Sequence, residues 1–468
     1  MDSPPYKWTA TQALEYLKND TISVEAYAQS LLDRIQERDR TIKAWAHLDP
    51  ELVLSQARLL DKVPIEKRGP LHGLAIGIKD IMDTKDMPTE YGSRIYDGHQ
   101  PSADSDAVAV LRAAGALIFG KTTTTEFAVA NYGPWTANPH NPKHTPGGSS
   151  SGSAAAVADF QVPLSLGSQT GGSVIRPASY TGVFAMKPTF NAISTEGQKP
   201  CAPSFDTIGF FARSIDDLQL LADVFSLKDD ELPKDISLDQ ISVAVIKTPF
   251  WASAECGTDR AMENSISVLR RNGIKVEEVS FPAEVSDPKV LGRIQDVIIQ
   301  SEARVSLLPE YRLNKAKLGY EVRDIVQNKS NMTQEELRNA YDRYTEMRVI
   351  INDLASKYDI ILAPSAVDDA PVGLDDMGSP IFNTLWTGFH MPVINIPSSF
   401  GPWGMPVGVS LVAPRFNDQQ LLRTGKAIGE ILMADGKRRR KDAEGLWNMD
   451  CFEEYAIVHG EQTGQCVP

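Results

Sequence analysis

Cysteine is scarce in this chain: four occur in 468 residues, at 201, 256, 451 and 466, never in a C-x-x-C arrangement. That excludes a thiolate metal site of familiar spacing and outlines no disulfide framework, so a reducing, cytoplasmic setting is the simplest expectation. Positive charge is also short, with 47 Lys and Arg against 61 Asp and Glu and a net charge of −14. Without a concentrated basic face, nucleic acid is not expected as a partner. The one basic run, Lys437 to Lys441, reads as a solvated surface segment rather than a nuclear signal. No apolar run approaches the roughly 18 residues that span a membrane. The opening MDSPPYKWTATQ lacks the positive start and apolar stretch of a secretory signal, so no membrane partner is expected either.

Histidine, the usual base in serine hydrolases, is nearly as rare. None of the seven (His47, His72, His99, His140, His144, His390, His459) lies in a G-x-S-x-G elbow. His140 and His144 are four apart, but Pro139 and Pro142 argue against one helical face. They read as loop histidines in solvent, and no metal is expected.

What is present is the make-up of an ordinary globular protein, 42% hydrophobic and 23% charged, long enough to bury a large core without staples. Domains of roughly 150 residues would make three. The pattern along the chain favours one, spanning 1–468, with N-terminal helices over about 9–62, a catalytic core over about 70–215 and a helical excursion over about 288–357. Thr9-x-x-Gln12 has capping-box spacing ahead of Ala13, Leu14 and Leu17. Ser23 suits the cap of a second helix striped by Tyr27, Leu31, Leu32 and Ile35. Leu74–Lys79 reads as a strand, 106–118 as a helix followed by a strand, 133–153 as loop, and Ala154–Val157 as the start of a helix. Strands are expected at 241–246, 274–279, 359–363 and 404–413, with helices at 259–272 and 417–433. Such alternation implies an α/β fold with a largely parallel sheet covered on both faces.

The densest chemical signal lies between residues 145 and 178, in TPGGSSSGSAAAV and LGSQTGGSVIRPA. Glycines let Thr170-Gly171-Gly172-Ser173 turn several N–H groups toward one point beside a hydroxyl. Acyl transfer needs that combination, a serine nucleophile with donors for the oxyanion. With histidine set aside, the candidate base is Lys79, at the end of an apolar strand. A lysine acts as a base only when neutral, and lowering its pKa from about 10.4 to about 7 costs roughly 4–5 kcal/mol, which burial can supply. The competing reading of the same residue is a strand-end ion pair with Asp80 or Asp83.

The run G-G-S-S-S-G-S at 147–153, followed by Gln169-Thr170-Gly171-Gly172-Ser173, resembles the signature block of the amidase signature family. So do Pro70-Leu71-His72-Gly73-Leu74-Ala75-Ile76-Gly77-Ile78-Lys79-Asp80, the stretches at Gly120-Lys121-Thr122 and Glu126-Phe127-Ala128, and those at Phe382-Asn383, 388–392 and 404–408. The likeness covers nearly the whole chain and is weakest over about 288–357. It implies a single large domain with a central mixed β-sheet flanked by helices, and a Ser-Ser-Lys triad. In that triad Ser173 is the nucleophile, Ser149 the bridging serine on a cis peptide bond, and Lys79 the base. The oxyanion hole falls to the backbone of Thr170, Gly171, Gly172 and Ser173. Ser150, Ser151 and Ser153 remain as packing hydroxyls.

Two positions depart from the family pattern: Gln169 stands where an aspartate is usual, and Ile175 precedes Arg176 where an arginine is usual. Both members of a structural ion pair are thus changed while the triad is intact, which predicts an active enzyme with altered support. The activity implied is hydrolysis of a small-molecule amide, with no metal or organic cofactor. The alternatives are an amide-forming acyltransferase and an aminoacyl-tRNA amidotransferase A-type subunit working with a partner. Phe127, Tyr132 and Trp386 are the tentative substrate-binding residues, with core packing an equal alternative for Trp386. Asp368, Asp369, Asp375 and Asp376 read as a solvated loop, and family precedent makes a homodimer reasonable.

Overall fold

The computed structural model describes residues 3–234 and 237–446, with side chains through 435. The side chains of the basic run at 437–441, together with Cys451, His459 and Cys466, lie outside what is described. The chain opens with α1 (Ala10–Lys18), α2 (Val24–Ile42) and α3 (Pro50–Asp61). Thr9 and Gln12 form the expected capping box, and Ser23 accepts from Ala26 N at 3.1 Å. The buried faces of α1 and α2 carry Ala13, Leu14, Leu17, Tyr27, Leu31, Leu32 and Ile35. Period-3.6 patterning explains these helices without further appeal.

Strands β1 (Trp45–His47), β2 (Ala75–Lys79), β3 (Leu117–Thr122), β4 (Leu164–Gln169), β5 (Phe184–Lys187) and β6 (Thr207–Ala212) build the first half of one sheet. β7 (Ser242–Lys247), β8 (Lys275–Ser280), β9 (Ile360–Pro364), β10 (Val393–Phe400) and β11 (Pro406–Val412) complete it. The order is β1-β3-β2-β4-β6-β5-β10-β11-β9-β7-β8, eleven strands among the described residues. Every residue of β2, β3 and β4 is buried, which requires helices on both faces.

The expectation of a largely parallel sheet is corrected. Parallel pairing is confined to β3–β2–β4 and β9–β7–β8. The stretch from β4 through β6, β5, β10 and β11 to β9 is antiparallel throughout. The physical reason lies in the connections: β10 returns directly into β11 through the 401–405 turn, with no helix to carry the chain back to a parallel start. The mixed sheet is the one the family resemblance implied.

Between the strands run α4 (Asp106–Ala113), α5 (Ser151–Ala158), α6 (Ile175–Thr181), α7 (Ile215–Val224) and α8 (Cys256–Arg271). The excursion consists of α9 (Pro288–Ser306), α10 (Leu308–Asn314), α11 (Tyr320–Val326) and α12 (Gln334–Ala355), all between β8 and β9. Last come α13 (Ile381–Gly388) and α14 (Asp418–Leu446). Helix α5, SGSAAAVA, is built from small residues because it lies directly on the sheet. A Cβ at Gly152 would collide with Ala44 O and Thr123 N, so only glycine allows that approach. No helix among the described residues is long and apolar enough to cross a membrane.

Candidate active site

Lys79 is the last residue of β2, a strand paired on both sides, and it is fully buried. Ligand sites of open α/β sheets sit at this carboxyl end of parallel strands. Its Nζ lies 2.7 Å from Ser149 Oγ, 2.9 Å from Ser168 Oγ and 3.5 Å from Ser168 O. Among the described residues no carboxylate makes an ion pair with it. Asp80 instead faces Lys121 Nζ at 3.2 Å, and Asp83 Oδ1 accepts from Tyr91 OH at 2.7 Å, so the ion-pair reading of Lys79 is corrected. Burial pulls the Lys79 pKa down to about 7, with Asp206 and Cys201 acting against the fall and Arg176 adding to it.

Ser149 opens the serine-rich loop before α5, and the Gly148–Ser149 peptide bond is cis. The other serines of the run are tied into the scaffold. Ser150 Oγ donates to Ser168 O at 3.2 Å, Ser151 Oγ faces Met377 Sδ at 4.0 Å, and Ser153 Oγ donates to Leu166 O at 2.8 Å.

Ser173 ends the turn that joins β4 to α6. The exposure of the three residues rises from Lys79 (0%) through Ser149 (2%) to Ser173 (8%), and the hydrogen bond found among them is the one from Lys79 to Ser149. The turn is held from several sides. Gln169 Oε1 accepts from Val174 N at 2.9 Å and Ile175 N at 3.0 Å, satisfying donors at the start of α6. Its Nε2 donates to Thr387 Oγ1 at 2.9 Å, and that hydroxyl lies 3.0 Å from Gly171 O. Thr170 Oγ1 donates to Asp206 Oδ1 at 2.5 Å. The backbone N–H groups of Gly171, Gly172 and Ser173 have no acceptor among the described residues. Three free donors beside a serine hydroxyl suit a developing oxyanion.

The two departures from the family pattern are thereby explained. Gln169 meets backbone donors and a hydroxyl, which a neutral amide does as well as a carboxylate. Arg176 is buried and bonded to carbonyls: Nη2 donates to Gly148 O at 2.6 Å and Nη1 donates to Gly378 O. No ion pair links the two. Arg176 therefore ties α6 to the residue ahead of Ser149.

Of the expected pocket residues, Trp386 is wholly buried beside Phe389. Pro380 and, on α13, Asn383 and Thr384 approach Gly171 and Gly172. Phe127 is buried too, beneath Lys199 Nζ at 5.7 Å. Tyr132 is half-buried and stacks on Tyr320 of α11 at 5.8 Å, so the excursion reaches the 126–132 segment.

The solvated reading of 368–376 holds only for Asp375 and Asp376. Asp369 is buried and accepts from Trp403 N at 3.0 Å; burial raises its pKa to about 7 and that of Asp368 to about 6. Of the two loop histidines, His144 is buried, its Nδ1 lying 2.6 Å from Ala370 O, whereas His140 is exposed as expected, with its Nε2 lying 2.9 Å from Thr181 O. Among the described residues no cluster suited to a metal ion occurs. Two residues at the site escape sequence reasoning. Ser168 lies within sight of it, one position before Gln169, whereas Asp206 carries no local signal at all.

A family model described as Amidase matches residues 26–422. The A-type subunit of a glutamyl-tRNA(Gln) amidotransferase from Lysinibacillus sphaericus is 30% identical over 471 residues, covering 90% of this chain and 96% of the relative. The crystal structure of an amidase superposes with a TM-score of 0.81 at 25% identity, covering 91% of this chain and 100% of the other. A chain from a vestigial protein complex, described as revealing the origins of an s-triazine catabolic enzyme, also gives 0.81, at 27% identity with 92% and 99% covered.

Proposed function

This chain belongs to the amidase family, and from that premise we propose that it hydrolyses a carboxamide C–N bond through an acyl-Ser173 intermediate, with Lys79 acting as base through Ser149. The observation that carries the reading is a buried lysine amine set between two serine hydroxyls without a carboxylate partner. An amine so placed loses its proton near neutrality and can then accept another.

Ser173 Oγ attacks the amide carbon while its proton passes to Ser149 Oγ and that of Ser149 passes to Lys79 Nζ. The oxyanion is met by the N–H groups of the 171–173 turn. As the C–N bond breaks, the proton returns through Ser149 to the departing amine, leaving an ester on Ser173. Water then attacks the ester and gives a proton to Lys79 by the same route. Collapse breaks the C–O bond and returns the proton to Ser173, releasing the acid. Tyr132 lies where the excursion reaches the 126–132 segment, and we assign that segment to the substrate side; Trp386, packed on Phe389, we assign to the core.

One finding favours a second reading. The amidotransferase relative, similar over nearly its whole length, works by its name as one component of a larger enzyme, and such a chain would pass the acyl-enzyme chemistry into a complex. Labelling with a fluorophosphonate and mapping the modified peptide tests the main reading. Modification at Ser173 by the isolated chain, lost in Lys79→Ala, is expected together with turnover of small amides. Labelling elsewhere refutes the assignment of nucleophile. Labelling without turnover, restored only by a partner protein, would transfer the chain to the second reading.

A further inference from the structure

Asp206 immediately precedes β6, at the end of the β4–β6 ladder where Gln169 pairs with Thr207. It therefore sits where β4 gives way to the nucleophile turn. The residue is buried, and its two oxygens serve different segments. Oδ1 accepts from Thr170 Oγ1 at 2.5 Å, and Oδ2 accepts from Cys201 N at 2.8 Å. Among the described residues no cation makes an ion pair with it. A buried carboxylate is costly unless its lone pairs are met, and here they are met by groups of the site itself.

The segment that carries Asp206 is fixed from the far side by the excursion. Glu302 of α9 accepts from Ser204 N at 2.8 Å and from Ser204 Oγ at 2.7 Å, and Glu310 of α10 accepts from Lys199 Nζ at 2.5 Å. The 199–206 segment is thus a rigid bracket between the excursion and the turn.

We propose that Asp206 is a positioning residue that locks the Thr170 end of the oxyanion turn. The inference rests on the function proposed above and deepens it. Burial raises the Asp206 pKa, with the Thr170 hydroxyl and the N–H groups of Cys201 and Ala202 working against that rise, so the role assigned to it is the hydrogen bond with Thr170 and not a standing charge. Asp80, next to Lys79 in the chain, is directed to Lys121 and Glu90 N and takes no part in this lock.

The test is the rate of Ser173 labelling by a fluorophosphonate, followed from pH 5 to 9 in wild type, Asp206→Ala, Thr170→Val and Thr170→Ser. In wild type the rate should rise through a limb near pH 7, since burial brings the Lys79 pKa to about 7. Asp206→Ala and Thr170→Val each remove one end of the same hydrogen bond and should each slow labelling about tenfold, as loss of a support for oxyanion donors does; Thr170→Ser should restore the rate. An unchanged rate in Asp206→Ala overturns the proposal while leaving the triad standing. Absence of Ser173 labelling in wild type removes the triad and the proposal together. Should Asp206→Ala fail to fold, the threonine pair decides: a wild-type rate in Thr170→Val overturns the positioning role.

Discussion

Two lysines buried side by side at the ends of β2 and β3 show how one residue type serves two ends. Lys79 and Lys121 are both inaccessible to solvent, and Lys79 pairs with Thr122 across the two parallel strands. Lys121 Nζ is fully engaged, by Asp80 at 3.2 Å, Thr89 Oγ1 at 2.5 Å and Met82 O at 2.9 Å. Burial lowers its pKa, but the Asp80 charge and hydrogen bond work against that fall. Lys79 has two hydroxyls and a distant carbonyl, and no bonded anion. The first arrangement stores a charge, and the second makes one hard to keep. Proximity of an acid therefore separates a structural lysine from one suited to accept protons, though the two share a sheet, a depth and almost a register.

The same substitution at both positions turns this contrast into measurement. The largest expected effect is on activity. Lys79→Met should lower kcat/KM for a small amide by about 10²–10⁴-fold, the range for loss of a general base. A loss below tenfold would end the distinction between the two amines. Next in size is stability. Lys121→Met leaves Asp80 buried without its cation and should cost about 3–5 kcal/mol in urea unfolding; an unchanged urea midpoint would show that the Asp80 pair holds nothing together.

The smallest effect has the opposite sign. At neutral pH, folding must strip or strain the Lys79 proton, since its pKa falls from 10.5 to about 7. The unfolded chain binds more protons than the folded one between those values, so stability should rise with pH across that window. Lys79→Met removes the penalty and should raise the melting temperature at pH 7 by about 2–4 °C, with a flatter pH dependence from 7 to 10. A lower melting temperature for Lys79→Met at pH 7 would mean that the amine stabilises the fold.

Much of the site is legible in residues close together in the chain. The strand at 74–79, the serine run at 149–153 and the turn at 170–173 each have a local pattern, and Lys79 stands out as a charge in an apolar strand. What stays hidden depends on distant segments. Asp206 is an unremarkable acid in SFDT until β6 pairs with β4 and brings it to Thr170. The antiparallel centre is invisible because β5, β6 and β10 are short apolar runs whose partners only the tertiary fold supplies. His144 and Asp369 read as solvated because loops are usually wet, and their backbone partners, Ala370 and Trp403, are remote in sequence.

Strand β2 is hydrogen-bonded to a neighbour along each edge, so the amine at its tip has almost no freedom to travel. If that amine is the base proposed above, adapting such a protein to new amides cannot proceed by shifting it. Change is left to whatever borders the opening, which we propose to be the 126–132 stretch and the excursion helix stacked on it. A library that randomises those positions and spares the strand should yield altered preference with unaltered chemistry, much as new keys can be cut for a lock whose bolt is cast into the door.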